Sequence, residues 1–128
     1  MIPRRRDPIA VRLEELGLNR AAASRLSRSG TVIDMCPGTV LCRAGERGTQ
    51  AFLLITGEAE VRTTDAVIPV GPGAVIGELA TLDPHRTRNA TVTTTTSVRV
   101  LVFDVSTYRF LADQEDLRAR LAPDRAAA

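Results

Sequence analysis

The residue types best able to do chemistry are concentrated between Ile76 and Val92. Gly77-Glu78-Leu79-Ala80 comes first, then a loop containing Asp83-Pro84-His85-Arg86-Thr87, then Arg88-Asn89-Ala90-Thr91-Val92. Gly77 allows close backbone approach, and the residues after it can form one helical turn whose free N–H groups, those of Leu79 and Ala80 among them, point outward. Such a turn holds a phosphate without a P-loop. Arg88, at the start of the following strand, can return to neutralise that phosphate with a bidentate fork. Glu78 is a poor phosphate ligand and makes sense as an acceptor for a sugar hydroxyl. Taken alone, Glu78 and Arg88 could also be a surface ion pair bridging two loops, worth only about 0 to 1 kcal/mol.

The other reactive side chains offer catalysis no foothold. His85 is the single histidine, and a loop histidine is usually solvated. Cys36 and Cys42 flank Pro37-Gly38, with no CxxC or Cys/His array to suggest a redox or zinc site. Neither they nor the serines have a neighbouring base by sequence, as a nucleophile requires. The expectation is a binding protein, not an enzyme, with no catalytic residue, no metal and no cofactor.

These residues must be positioned by a single domain, since 128 residues bury one core. From Pro8 to Arg28 the pattern is helical, with Val11, Leu13, Leu16 and Leu18 leading to Gly17-Leu18-Asn19, and Ala22 and Leu26 continuing the apolar stripe in a second helix. Gly17 breaks the first and Asn19 can N-cap the second. Ser29-Gly30 closes the second, where glycine would supply a left-handed C-terminal residue. From Thr31 to Phe103 short β-branched runs are punctuated by Gly or Pro about every 8 to 12 residues, the pattern of a roll of antiparallel strands. The runs are Thr31 to Cys36, Thr39 to Arg43, Ala51 to Ile55, Ala59 to Thr63, Ala66 to Val70, Val75-Ile76, Ala90 to Thr94 and Ser97 to Phe103. In the last, Val98, Val100 and Val102 face one way, Arg99, Leu101 and Phe103 the other. The Thr93 to Thr96 run is strand and turn material, not a site. Helical periodicity returns at Thr107 to Ala112, N-capped by Ser106, and from Asp113 through Leu117 and Leu121 until Pro123 stops it. The fold class is α+β: an antiparallel β-roll, jelly-roll-like, flanked by N-terminal and C-terminal helices. Its parts are a helical segment over 1–30, the roll over 31–104 with the candidate site at 76–92, and C-terminal helices over 105–122.

Composition narrows the partners. Apolar residues are 44% and charged residues 25%, ordinary for a globular domain. Aromatics are 3% with no Trp, which argues against single-stranded nucleic acid, whose bases need aromatic platforms. Net charge is +2 and the 17 basic residues are all Arg. The excess sits in the segment up to and including Arg28, and Arg4-Arg5-Arg6 is read as a solvated tail, so the body is no polyanion binder. No apolar stretch approaches the ~18 to 20 residues of a membrane span, and Asp7-Pro8 follows the arginines where a signal peptide would be apolar. A cytoplasmic location is expected, with both cysteines as buried or half-buried free thiols.

In this order, Gly77-Glu78-Leu79-Ala80 and Arg88-Asn89-Ala90-Thr91-Val92 resemble the phosphate-binding cassette of the cyclic nucleotide-binding domain family. Pro37-Gly38-Thr39-Val40-Leu41 with Gly45-Glu46, the stretch Phe52 to Val61, and Gly71-Pro72-Gly73-Ala74-Val75-Ile76 are similar to that family's entry to the roll, central hairpin and approach to the cassette. The resemblance runs from about Gly30 to Leu121. It implies that Glu78 accepts the ribose 2′-OH and Arg88 pairs with the cyclic phosphate. The N–H groups around Leu79 and Ala80 would hold the remaining oxygens, and Leu79 would couple the filled cassette to the C-terminal helices. Tyr108 and Leu111 would lie on the helix that swings toward the cassette. The sequence departs from the pattern in three places. The loop before Arg88 is one residue longer, so Arg86 could compete for the phosphate, although Arg88 keeps its spacing to Ala90-Thr91-Val92. Asn89 replaces a small residue and could bond the phosphate or a guanine edge, which leaves cAMP against cGMP open. The last helix is short, so the lid over the base is absent or supplied by a partner.

The resemblance implies a stand-alone cyclic nucleotide receptor domain that passes binding of a cyclic purine nucleotide through its helices to an effector protein or homodimer partner. The alternative is a ligand-free scaffold with the same fold, which would have no reason to keep Glu78 and Arg88 together. A cupin-type roll is disfavoured by the single histidine. Direct DNA binding is not expected, for want of a helix-turn-helix.

Overall fold

The computed structural model describes residues 7–47, 50–77 and 90–104. Helices α1 (Pro8–Glu15) and α2 (Arg20–Ser29) precede eight strands: β1 (Thr31–Met35), β2 (Val40–Cys42), β3 (Gln50–Thr56), β4 (Ala59–Arg62), β5 (Val67–Val70), β6 (Val75–Ile76), β7 (Thr91–Thr94) and β8 (Val98–Asp104). The two helices and the antiparallel roll follow the sequence periodicities closely. The expected C-terminal helices, with Tyr108 and Leu111, lie outside the described residues.

Each helix begins where a short polar side chain satisfies its free N–H groups. Asp7 accepts from the Ile9 N–H at 2.9 Å and Asn19 from the Ala22 N–H at 2.8 Å. The Asp7 carboxylate also accepts from the Ser27 hydroxyl, tying the start of α1 to α2. The end of α2 differs from the expectation. Gly30 is extended, with φ −111° and ψ 173°, not left-handed. Glycine is required there by space: a Cβ would sit 2.9 Å from both Leu101 Cγ and the Val102 carbonyl oxygen.

The strands form two antiparallel four-stranded sheets, ordered β1-β8-β3-β6 and β2-β7-β4-β5. The first sheet is covered on both faces by two separate cores. Ala51, Leu53 and Ile55 of β3, with Val75 and Leu101, pack against Ala10, Leu13, Leu18, Ala23 and Leu26 of the helical segment. Phe52 and Leu54, with Ile76, Val98, Val100 and Val102, face the second sheet's Cys42, Ala59, Val61, Val70 and Val92. This explains the unbroken burial of β3 from Ala51 to Ile55. Its alternating side chains serve two interfaces, and each fully buried Leu or Ile contributes roughly 1.5–3 kcal/mol. Arg12 adds a polar anchor, its Nε donating to the Ile55 carbonyl at 3.2 Å.

Away from the cassette, turns are tied by threonines. The hydroxyl of Thr94, 2% exposed, accepts from the Thr39 N–H and donates to the Cys36 carbonyl, both at 2.8 Å. Thr96 accepts from the Glu58 N–H at 3.0 Å. Both cysteines are free; Cys42 is buried as expected, but Cys36 is exposed because it follows β1 out of the sheet into the Pro37-Gly38 turn. Among the described residues, no helix is long and apolar enough to cross a membrane.

Candidate functional site

The chain leaves the first sheet at Ile76, paired with Phe52, and enters the second at Thr91, paired with Arg62. Residues 78–89 therefore link the two sheets of the roll, and both ends of the link are pinned in the interior. Ile76 is 0% exposed and Ala90 1%. Between Ile76 and the link, Gly77 adopts φ +84°, a left-handed conformation that costs a residue bearing a Cβ roughly 1–2 kcal/mol.

Of the residues assigned to the site from sequence, Gly77 is described and stands at the mouth of the link. Glu78, Leu79, Ala80, Arg88 and Asn89 lie outside the described residues, as do Arg86 and His85. The described flanks supply what the sequence reading did not assign. The Thr91 hydroxyl accepts from the Ala44 N–H at 3.0 Å, so the turn following β2 is fastened to the first residue of β7, near the end of the sequence-assigned cassette. Arg43 is exposed on that turn, and Arg62 lies beside Thr91 in the sheet. Arg62 makes a loose contact with Glu60 at 4.0 Å, both side chains well exposed. Glu46 and Arg47 are also exposed on that turn. Thr91 and Ala44 are 47 positions apart, and no local pattern signals their bond.

A cleft of about 410 Å³ lies at the other end of the first sheet, lined by Asp34, Met35, Cys36, Thr56 and Arg99 among others. Its charges already satisfy each other: Arg99 Nε and Nη2 donate to the two carboxylate oxygens of Asp34 at 2.7 and 3.0 Å. The Arg99 hydrogen bond holds the Asp34 carboxyl below its ordinary pKa. A bidentate pair closed on itself leaves no uncompensated cation for a phosphate, so this cleft is not the nucleotide site the sequence points to.

The profile of the cyclic nucleotide-binding domain matches residues 32–115. The cAMP-dependent protein kinase regulatory subunit of Schizosaccharomyces pombe is 38% identical over 96 residues, covering 68% of this chain and 23% of that protein. The Pycsar effector protein PaPycTIR of Pseudomonas aeruginosa is 30% identical over 96 residues, 74% of this chain and 31% of that one. A cyclic nucleotide-gated potassium channel of Rhizobium etli is 41% identical over 66 residues, 50% of this chain and 18% of that one. The chain thus spans less than a third of the length of these curated relatives. Among solved structures, cAMP-bound PfPKA-R has the same fold, with a TM-score of 0.70 and 23% identity over 87% of this chain and 39% of that one.

Proposed function

The chain belongs to the cyclic nucleotide-binding domain family, and from that premise we propose that it is a receptor module for a cyclic purine nucleotide, cAMP or cGMP. The observation that carries the reading is the pairing of two motifs with one link. Gly77-Glu78-Leu79-Ala80 opens the connection between the sheets, Arg88-Asn89-Ala90-Thr91 closes it, and Ile76 and Ala90 are buried at its two ends. In this proposal Arg88 neutralises the cyclic phosphate, N–H groups around Leu79 and Ala80 bond its other oxygens, and Glu78 accepts the ribose 2′-OH. Asn89 is left to the phosphate or the base edge. Leu79 passes occupancy to the C-terminal helices, shifting an equilibrium between helix positions that exists without ligand. The role is recognition; the output is read by an effector or by a second subunit. Two free cysteines fit a reducing, cytoplasmic setting.

Calorimetric titration with cAMP, cGMP and 2′-deoxy-cAMP tests this. Saturable binding of at least one ribonucleotide is expected, with the deoxy analogue weakened by roughly 1 to 3 kcal/mol through loss of the bond to Glu78. No heat with either ribonucleotide leaves a ligand-free scaffold as the reading.

A further inference from the structure

The four outer strands of the two sheets are not protected alike. An edge strand exposes unpaired N–H and C=O groups, and folds blunt it by shortness, a bulge, a proline or charge. β6 has two residues, β2 has three with a register shift between Val40 and Cys42, and β5 carries Pro69, which lacks an N–H. β1 is neither that short nor bulged nor proline-bearing, and its one charge, Asp34, is taken up by Arg99 of β8 in its own subunit. It runs five residues, Thr31-Val32-Ile33-Asp34-Met35, in unbroken register with β8, without proline or glycine.

Two of its apolar side chains, one on each face, are open, while Met35 is half-buried against the roll's core. Val32 lies opposite Leu101, which packs toward the helices, and Ile33 opposite Val100, which points into the roll. Yet Val32 is 37% and Ile33 40% exposed. At these two positions the strand is open to solvent on both faces. Among the described residues nothing bonds to its outer edge.

We propose that β1 is an interface for a second copy of this chain, the two strands pairing antiparallel about a twofold axis through Ile33. That register sets Ile33 against Ile33, Thr31 against Met35, and Val32 against Asp34 of the partner. It is also the register the charges favour. Asp34 is the strand's single ionised residue and is neutralised within its own subunit by Arg99. Centring on Ile33 keeps the two Asp34 carboxylates apart, whereas a register centred on Asp34 opposes them directly, which is destabilising. The interface is isologous and closes at two copies. A five-residue edge falls below the roughly 800 Å² per partner of a standard stable interface, so the dimer is weak and concentration-dependent.

Sedimentation equilibrium of the full chain without nucleotide, across a range of protein concentrations, tests the proposal independently of any ligand. The weight-average mass is expected to rise from monomer toward dimer, and amide exchange over Thr31–Met35 to slow with it. Ile33→Lys puts two ammonium groups face to face and is expected to weaken association at least about tenfold. Val32→Lys faces Asp34 of the second copy and retains it. Both positions are exposed, and thermal melts confirm that each variant folds. A monomer at every concentration overturns the proposal. So does equal loss of association in both variants, which would mark mere apolar stickiness, and so does protection of the Thr31–Met35 amides in the dilute monomer, which would show the edge already covered.

Discussion

Arg88 is the residue on which the proposed recognition turns most directly, because in that proposal it supplies the formal charge opposite the phosphate. Arg88→Glu replaces a bidentate fork with a like charge and is expected to cost on the order of 2 to 5 kcal/mol of nucleotide binding while leaving the fold intact. Arg86→Glu is the internal control, and titration calorimetry on the pair reads the assignment; equal losses would remove it. That Arg88 could be picked out at all reflects how local its signal is. A glycine, an acid and an arginine at a set spacing are visible in a string of letters. The bond from the Ala44 N–H to Thr91 is not, because it joins residues that meet only after two sheets have formed. Gly30 shows a subtler gap. Its place after α2 was legible, but its reason was not: the constraint is the approach of Leu101 and Val102, not a left-handed cap. Gly30→Ala is therefore expected to destabilise by roughly 1–3 kcal/mol through overpacking, seen as a lower urea midpoint with unchanged slope.

At the scale of elements, helices and strands were legible because their punctuation is chemical. Gly17 and Asn19 separate α1 from α2, and glycines or prolines separate most of the strands. Exposure was less legible. A sequence shows that Thr31 to Met35 is a strand, but not that Val32 and Ile33 stay exposed, since that depends on which strands become edges. Asp7 illustrates how an element's end reaches beyond itself. Its carboxylate caps α1 and accepts from Ser27 of α2, and the Ser27 hydrogen bond, with help from the Ile9 and Ala10 N–H groups, lowers its pKa despite some burial. A carboxylate whose folded pKa is depressed stabilises the fold above its unfolded value, about 3.9, and that contribution is lost as pH falls through the folded value. Asp7→Ala is expected to cost about 0.5–2 kcal/mol at neutral pH. The difference from the unsubstituted chain should shrink on acidification below about pH 4. Urea unfolding at neutral pH and in acid measures both.

For the whole molecule, the decisive feature is that the first sheet serves two cores at once. On β6 the adjacent residues Val75 and Ile76 divide between them, Val75 packing toward the helices and Ile76 into the roll, one position before Gly77. The start of the cassette therefore adjoins, within two residues, a side chain packed against the helical layer, and nucleotide binding there is expected to stabilise that layer as well. A ligand binding only the native state adds RT ln(1 + [L]/Kd), about 2.7 kcal/mol at a hundredfold excess over Kd. If the cassette were energetically local, that gain would appear only as slower amide exchange in β6 and β7. With both cores sharing β3, β6 and β8, it is expected to appear also in α2, around Ala23 and Leu26, and as a single higher-temperature melting transition. Val75→Ala removes apolar contact from the helical side without touching the roll interior. It is expected to leave nucleotide affinity within a few-fold while reducing ligand-induced protection in α2 relative to β7. Hydrogen exchange with and without saturating nucleotide, on both proteins, decides the point. Unchanged α2 protection in the unsubstituted chain on ligand binding would show that the two cores respond separately.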